Sequence, residues 1–290
     1  MKHNKTRLLG IYEKAINNKF NIEEKIIIAK EAGYDFMEFS VDESPERLRR
    51  LDWTDKEIAE VQTLLIKHNF MFNSMTLSGH RKYPFGSKDT KTRKKAIKIM
   101  ENAIILAKKL GIRTVQLAGY DVYYEQHDEE TEKYFKEGMK KALQLAQKHS
   151  VMLAFEIMDT RFMGTISRAL RWVNELNNIY IGIYPDLGNL YQWTNFEDLE
   201  NELLVAKDKL VAFHFKDTIP GKFRDIPFGE GTVNFEAMLS VLKKHKLNQP
   251  IMIEMWSLNK ADETKEEALE YIKSAKEFYE ESWNKIGGDK

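Results

Sequence analysis

Eight short runs of aliphatic, β-branched and aromatic residues alternate with longer, charge-rich amphipathic segments along the chain. The runs read RLLGIYE, YDFMEFSV, FMFNSMTL, IRTVQLAG, VMLAFEIM, IYIGIYP, LVAFHF and PIMIEMW. Near-continuous apolar strands have to be covered on both faces, and helical crossovers between parallel strands provide that cover. Such crossovers are right-handed, so eight in succession wrap the helices outside and gather the strand C-termini on one rim. The expected fold is therefore α/β, a single (β/α)8 TIM barrel over residues 1–290. The length of 290 residues suits one such barrel, and no stretch has the composition of a linker. Only the tail NKIGGDK, about 285–290, is expected to fray.

Local signals mark where the helices begin and end. Thr54 with Glu57 has capping-box spacing, and Asn21 with Glu24 is its Asn/Glu analogue. Gly33 after EEKIIIAKEA and Gly111 after IILAKKL are placed to end helices in the left-handed conformation that glycine adopts at low cost.

Composition removes several classes of function. Lys+Arg and Asp+Glu both number 45, so nothing favours a nucleic acid or an anionic membrane as partner. There is no cysteine, which excludes disulfides, thiolate nucleophiles and sulfur-ligated metals. Apolar stretches fall well short of a bilayer span and MKHNKTRLLG lacks a signal-peptide core, so a cytoplasmic location is expected.

Against that background the last four strands carry an anomaly. Glu156, Asp186, His214 and Glu254 each sit at or near the C-terminal end of a run. Alternation puts Glu156 on the face of Met152 and Ala154, His214 with Ala212 and Lys216, and Glu254 with Met252 and Trp256. Buried unpaired carboxylates cost several kcal/mol each, and a shared divalent cation would offset that cost where no internal cation does. Three carboxylates and one imidazole suit Mn²⁺, Mg²⁺ or Co²⁺, with Zn²⁺ also compatible. The remaining polar residues expected near the rim are Glu13, Glu38, Ser40, Ser78, His80, Arg81, Gln116, Tyr120, Asp159, Asn189, Lys216, Asp217 and Arg224. Of seven histidines, only His80 and His214 fall at strand ends. Glu156 and Glu254, three strands apart around the ring, are placed to face a small substrate from opposite sides, as a proton-transfer epimerisation requires. Metal-assisted hydrolysis remains equally open on spacing alone.

The segments GIYEKA, EFSVDES, NSMTLSGHRKYPFGS, VQLAGYDVYYE, EIMDT, YPDLGNL, HFKDT, FRDIPFGEG and IEMW together resemble the L-ribulose-5-phosphate 3-epimerase / L-xylulose-5-phosphate 3-epimerase family of xylose-isomerase-like barrels. The resemblance runs from about Leu8 to Trp256. It implies that Glu156, Asp186, His214 and Glu254 bind one divalent metal ion and that Glu156 and Glu254 are also the acid/base pair. The implied reaction interconverts L-xylulose 5-phosphate and L-ribulose 5-phosphate at C3 through an enediolate. Epimerases of unphosphorylated ketoses have a histidine three positions after the aspartate ligand and an arginine after the seventh strand. Here those places are held by Asn189 and Arg224, a departure that fits a phosphosugar branch.

The expected partner is thus a small sugar phosphate, with a homodimer left open. Ser78, His80, Asn189, Lys216 and Arg224 are the candidate substrate-binding residues. For the phosphate itself the candidates are Lys216, Lys222 and Arg224 after strand seven, Arg81 and Lys82 after strand three, and the backbone of the PFGEG turn at Gly229 and Gly231. Rival readings are an aldose-ketose isomerase, a free-ketose 3-epimerase or a dehydratase on the same scaffold, and a non-catalytic sugar-binding barrel. A metal-dependent endonuclease on this barrel is disfavoured by two rim histidines and a neutral net charge.

Overall fold

A computed structural model of the chain describes residues 7–288. Among these, eight strands form one sheet: β1 Leu9–Tyr12, β2 Phe36–Val41, β3 Phe72–Leu77, β4 Thr114–Leu117, β5 Met152–Glu156, β6 Ile181–Tyr184, β7 Phe213–Phe215 and β8 Ile251–Ile253. Each falls within one of the eight apolar runs. Neighbouring strands pair in parallel in the order β6-β5-β4-β3-β2-β1-β8-β7. The seam between β6 and β7 is closed by single parallel bridges, Ile183 to Leu210 and Asp186 to His214, rather than by a full ladder.

The helices are α1 Ile22–Glu31, α2 Pro45–Leu48, α3 Asp55–Lys67, α4 Thr90–Leu110, α5 Glu129–His149, α6 Ile166–Leu176, α7 Leu187–Trp193, α8 Leu199–Val205, α9 Phe235–Lys244 and α10 Lys265–Lys285. Eight of them are the crossover helices. The short α2 and α7 are additions that the alternation of textures does not show, each begun by a side chain in the loop before it: Ser44 accepts from Arg47 N, and Asp186 from Asn189 N. The capping boxes at Asn21/Glu24 and Thr54/Glu57 are both formed. Gly33 and Gly111 have φ of 83° and 71°, the left-handed turn that sends α1 and α4 back toward the next strand. At the start of the tail expected to fray, Lys243 Nζ donates to the carbonyls of Ile286 and Gly288. Residues 289 and 290 lie outside the described residues.

Strand alternation divides the molecule into two apolar regions. Outward residues such as Ile11, Phe39, Val115, Phe155 and Phe213 join the helices in the main core. Inward, Tyr12, Phe36 and Met252 pack together against Trp256, while Ala154, Tyr184 and Ala212 form a second small cluster. Gly10 is required there, because a Cβ on it would lie 2.2 Å from the Phe36 ring. Above these residues the barrel lining turns polar, with Glu38, Ser40, Ser74, Gln116, Glu156 and His214 all buried. No helix among the described residues is long and apolar enough to cross a membrane.

Candidate active site and metal centre

Glu156 ends β5, Asp186 follows β6, His214 is the middle residue of β7, and Glu254 follows β8 directly. Each offers a ligand atom, and these atoms all lie within 4.8 Å of one another. All four residues are buried. Asp186 has two tasks: its Oδ1 accepts from Asn189 N at 2.9 Å and so starts α7, which leaves Oδ2 for the site. His214 presents Nδ1 to Glu156 Oε1 at 3.1 Å and to Glu254 Oε2 at 3.5 Å. Gln116 Nε2 donates to the other oxygen of Glu156.

An internal cation is present, contrary to the expectation from sequence. Lys216, inward from β7 as its alternation requires, places Nζ 2.5 Å from Asp186 Oδ2 and 3.0 Å from Glu254 Oε2. These are ion-pair distances without hydrogen-bond direction, since both oxygens remain buried with no hydrogen-bond partner. These two carboxylate oxygens converge on one buried point that the ammonium holds, and with Glu156 and His214 they are also placed to ligate a divalent cation. The donor set of three carboxylates and one imidazole, free of sulfur, fits a hard or borderline divalent ion.

Burial and the pairing of opposite charges compete to set the charge state of the cluster. Burial pushes the Glu156 carboxyl up, with the His214 hydrogen bond opposing, and pushes Asp186 up to about 7 against the pull of Lys216. For Glu254, burial is outweighed by Lys216 and His214, which hold it well below the usual carboxylate range. Burial would lower His214 and Lys216, yet the surrounding carboxylates, Glu38 foremost for His214 and Asp186 for Lys216, hold both above their ordinary values.

A cavity of about 340 Å³ opens onto this cluster at the strand C-termini, lined by both Glu156 and Glu254. Of the five substrate-binding candidates, Ser78, Asn189, Lys216 and Arg224 line it. Asn189 donates Nδ2 to Ile157 O at 2.9 Å, and its buried Oδ1 has no protein partner. His80 is placed elsewhere: its Nε2 bonds to Ala96 O at 3.1 Å, its ring lies 4.5 Å from that of Phe85, and burial lowers it to about 4. It pins the turn after β3 to α4 and is absent from the cavity wall.

Two phosphate candidates are also redirected. Lys216 points at carboxylates, and the amides of Gly229 and Gly231 are occupied by Asp217 Oδ2 at 2.9 and 3.0 Å. The cations left at the cavity wall are Lys14, Arg81, Lys222 and Arg224. Arg81 lies 4.8 Å from the Tyr123 ring centroid with its Nε buried and unpartnered, whereas Arg224 is exposed. Lys14 pairs with Asp42, and Lys82 lies over Tyr83.

Glu38 and Gln116 enter the site more deeply than their places in the rim inventory suggested. Glu38 is wholly buried on β2 and reaches His214 Nε2 at 3.1 Å. Strand alternation gives the signal that both point inward, but nothing local says how far across the barrel they reach.

A family model described as xylose isomerase-like TIM barrel matches residues 26–275. A protein named probable L-ribulose-5-phosphate 3-epimerase UlaE, from Mycoplasma pneumoniae, is 50% identical over 277 residues, covering 96% of this chain and 90% of its own. The L-ribulose-5-phosphate 3-epimerase UlaE of Shigella boydii is 42% identical over 279 residues, 96% of each chain. Among solved structures, a D-psicose 3-epimerase in the presence of D-fructose superposes with TM-score 0.78 at 15% identity, covering 97% of this chain and 100% of its own. The IolI protein with a bound zinc atom gives 0.75 at 20% identity, covering 95% and 99%. The full-length likeness to the UlaE proteins goes beyond fold: the chain is a sugar epimerase that belongs to the xylose isomerase-like TIM barrel family, in its L-ribulose-5-phosphate 3-epimerase branch.

Proposed function

We propose that this enzyme inverts C3 of a ketopentose 5-phosphate, interconverting L-xylulose 5-phosphate and L-ribulose 5-phosphate, with one divalent cation held by Glu156, Asp186, His214 and Glu254. The observation that carries the proposal is the convergence of those four ligand atoms within 4.8 Å, two of the four residues, Glu156 and Glu254, lining a cavity of about 340 Å³. The names of the relatives support the substrate, and zinc in the IolI structure supports a metal on this scaffold. The ion in the cell is one of Mn²⁺, Zn²⁺, Co²⁺ or Mg²⁺. When bound at such a site, a divalent cation withdraws electron density from a ketose carbonyl and so lowers the cost of negative charge at the adjoining carbon.

The chain's own residues move the proton. With C3 between Glu156 at the end of β5 and Glu254 just after β8, one carboxylate takes the C3 proton, leaving an enediolate. The other, as a carboxylic acid, returns a proton to the opposite face, and the two roles exchange in the reverse direction. Burial raises the carboxyl of Glu156, which suits a group that must hold a proton for part of the cycle. Gln116 fixes one oxygen of Glu156, so the other stays directed into the cluster. Ser78 and Asn189 line the wall where sugar hydroxyls would lie, and Lys222, Arg224 and Arg81 are the cations available to a distal phosphate.

Product configuration read by NMR across phosphorylated and free ketoses in D₂O tests the assignment. Deuterium at C3 with inversion there is the expected result. Deuterium at C1 or C2 with an aldose product would make the enzyme an aldose-ketose isomerase, and no exchange with any ketose phosphate would remove the proposal.

A further inference from the structure

The metal ligand set leaves one strongly polar group unassigned. Glu38 is wholly buried on β2, at the opposite edge of the His214 ring from Glu156 and Glu254. Its Oε1 lies 3.1 Å from His214 Nε2, while Nδ1 of the same ring faces Glu156 at 3.1 Å and Glu254 at 3.5 Å. Ser74 and Thr76, one strand over on β3, donate their hydroxyls to the two oxygens of Glu38 and fix the plane of the carboxylate. Tyr184 packs on the imidazole with ring centroids 4.5 Å apart at 61°, restricting rotation of the ring.

A neutral imidazole binds a cation through one nitrogen only, and which nitrogen is free depends on where the proton sits. Carboxylates face both nitrogens, but Glu156 and Glu254 at Nδ1 are themselves ligands of the cation, so with the cation bound Glu38 is the acceptor left to the ring, holding the proton on Nε2 and leaving the Nδ1 lone pair to the ion. Glu38 also adds negative charge behind the ring and makes Nδ1 more basic. We infer that Glu38 is a positioning residue that fixes the tautomer and orientation of His214 for cation binding, braced in turn by Ser74 and Thr76. The inference rests on the proposal that His214 is a metal ligand. It concerns affinity for the cation and is read without turnover.

The test uses the full chain stripped of metal and titrated with Zn²⁺ against a chromophoric chelator, with ¹⁵N-histidine NMR of the zinc-loaded protein. Glu38→Met, which removes the acceptor but keeps the side-chain volume, is expected to raise the Zn²⁺ dissociation constant about 10- to 100-fold and to lose the Nε2–H signal of His214. Glu38→Gln keeps an acceptor and should fall between wild type and Glu38→Met with the Nε2–H tautomer retained, a rescue that packing alone would not give. Ser74→Ala, which frees the carboxylate without removing it, should weaken Zn²⁺ binding roughly two- to tenfold, and it decides the matter if Glu38→Met fails to fold. Wild-type affinity and tautomer in Glu38→Met, or wild-type affinity in Ser74→Ala where only that variant folds, would overturn the role. A wild-type chain that binds no Zn²⁺ would instead overturn the metal proposal, and this inference with it.

Discussion

Lys216 offers a direct measure of how much strain the acidic cluster carries. Its ammonium sits 2.5 Å from Asp186 and 3.0 Å from Glu254, all three buried. At an effective dielectric near 20 each contact corresponds to about 6 kcal/mol of attraction, most of which offsets the desolvation of the charges themselves. Replacing Lys216 by Met, of similar length and apolar, leaves the carboxylates without their cation, and breaking a buried pair in this way costs about 3–5 kcal/mol. Asp186, already raised to about 7, can take up a proton instead, so the low end of that range applies. For a chain of 290 residues the unfolding entropy is about 0.6 kcal/mol per kelvin, and a loss of about 3 kcal/mol lowers Tm by about 5 °C. A divalent cation at a thousand times its Kd adds about 4 kcal/mol to the folded state of either protein, and it narrows the difference to the extent that it binds the variant, freed of the competing ammonium, more tightly. Calorimetry of Lys216→Met and wild type, in chelator and in saturating Mn²⁺, should therefore show the deficit in chelator and most of it erased by metal. A deficit of the same size in both conditions would show that Lys216 acts through packing. No deficit in chelator would mean that the carboxylates do not need it.

Three further expectations follow from the same geometry. Glu156→Gln and Glu254→Gln should each lower kcat by roughly 10² to 10⁴ while leaving the fold intact by circular dichroism, and a wild-type rate in either would remove that residue from proton transfer. Removing the substrate phosphate should depress kcat/KM by roughly two to four decades if two charge-assisted contacts are lost, as measured with L-xylulose beside its 5-phosphate. Arg224→Ala should recover part of that difference; if only Arg81→Ala does, the phosphate lies across the cavity from the β7 loop. Asp186 has a folded-state pKa of about 7 against an ordinary 3.8, so the folded protein holds a proton there that the unfolded chain has released. Its contribution to stability is complete below 3.8 and lost as pH rises to 7. The Tm of metal-free wild type should accordingly fall relative to Asp186→Asn between about pH 4 and 7, and parallel curves would contradict the raised pKa.

The alternation of apolar runs and amphipathic segments was enough to determine the barrel, because eight strands buried on both faces admit few other arrangements. Period-two alternation likewise fixed which way Glu156, His214, Lys216 and Glu254 point, and capping spacings at Asn21 and Thr54 located helix starts through contacts only three residues apart. What alternation cannot fix is how far a side chain reaches once inside. His80 follows a strand as His214 lies within one, yet it turns outward to Ala96 because the chain after β3 closes into a tight turn against α4. Lys216 was expected to meet a phosphate and meets Asp186 and Glu254, since three strands converge at that depth and a buried ammonium settles on the nearest buried anions. Glu38 lies 176 residues from His214 and touches it across the barrel. Distances of that kind depend on strand stagger and barrel diameter, which the whole sheet sets at once, and so the inward residues belonged to the sequence while their partners were chosen by the closed barrel.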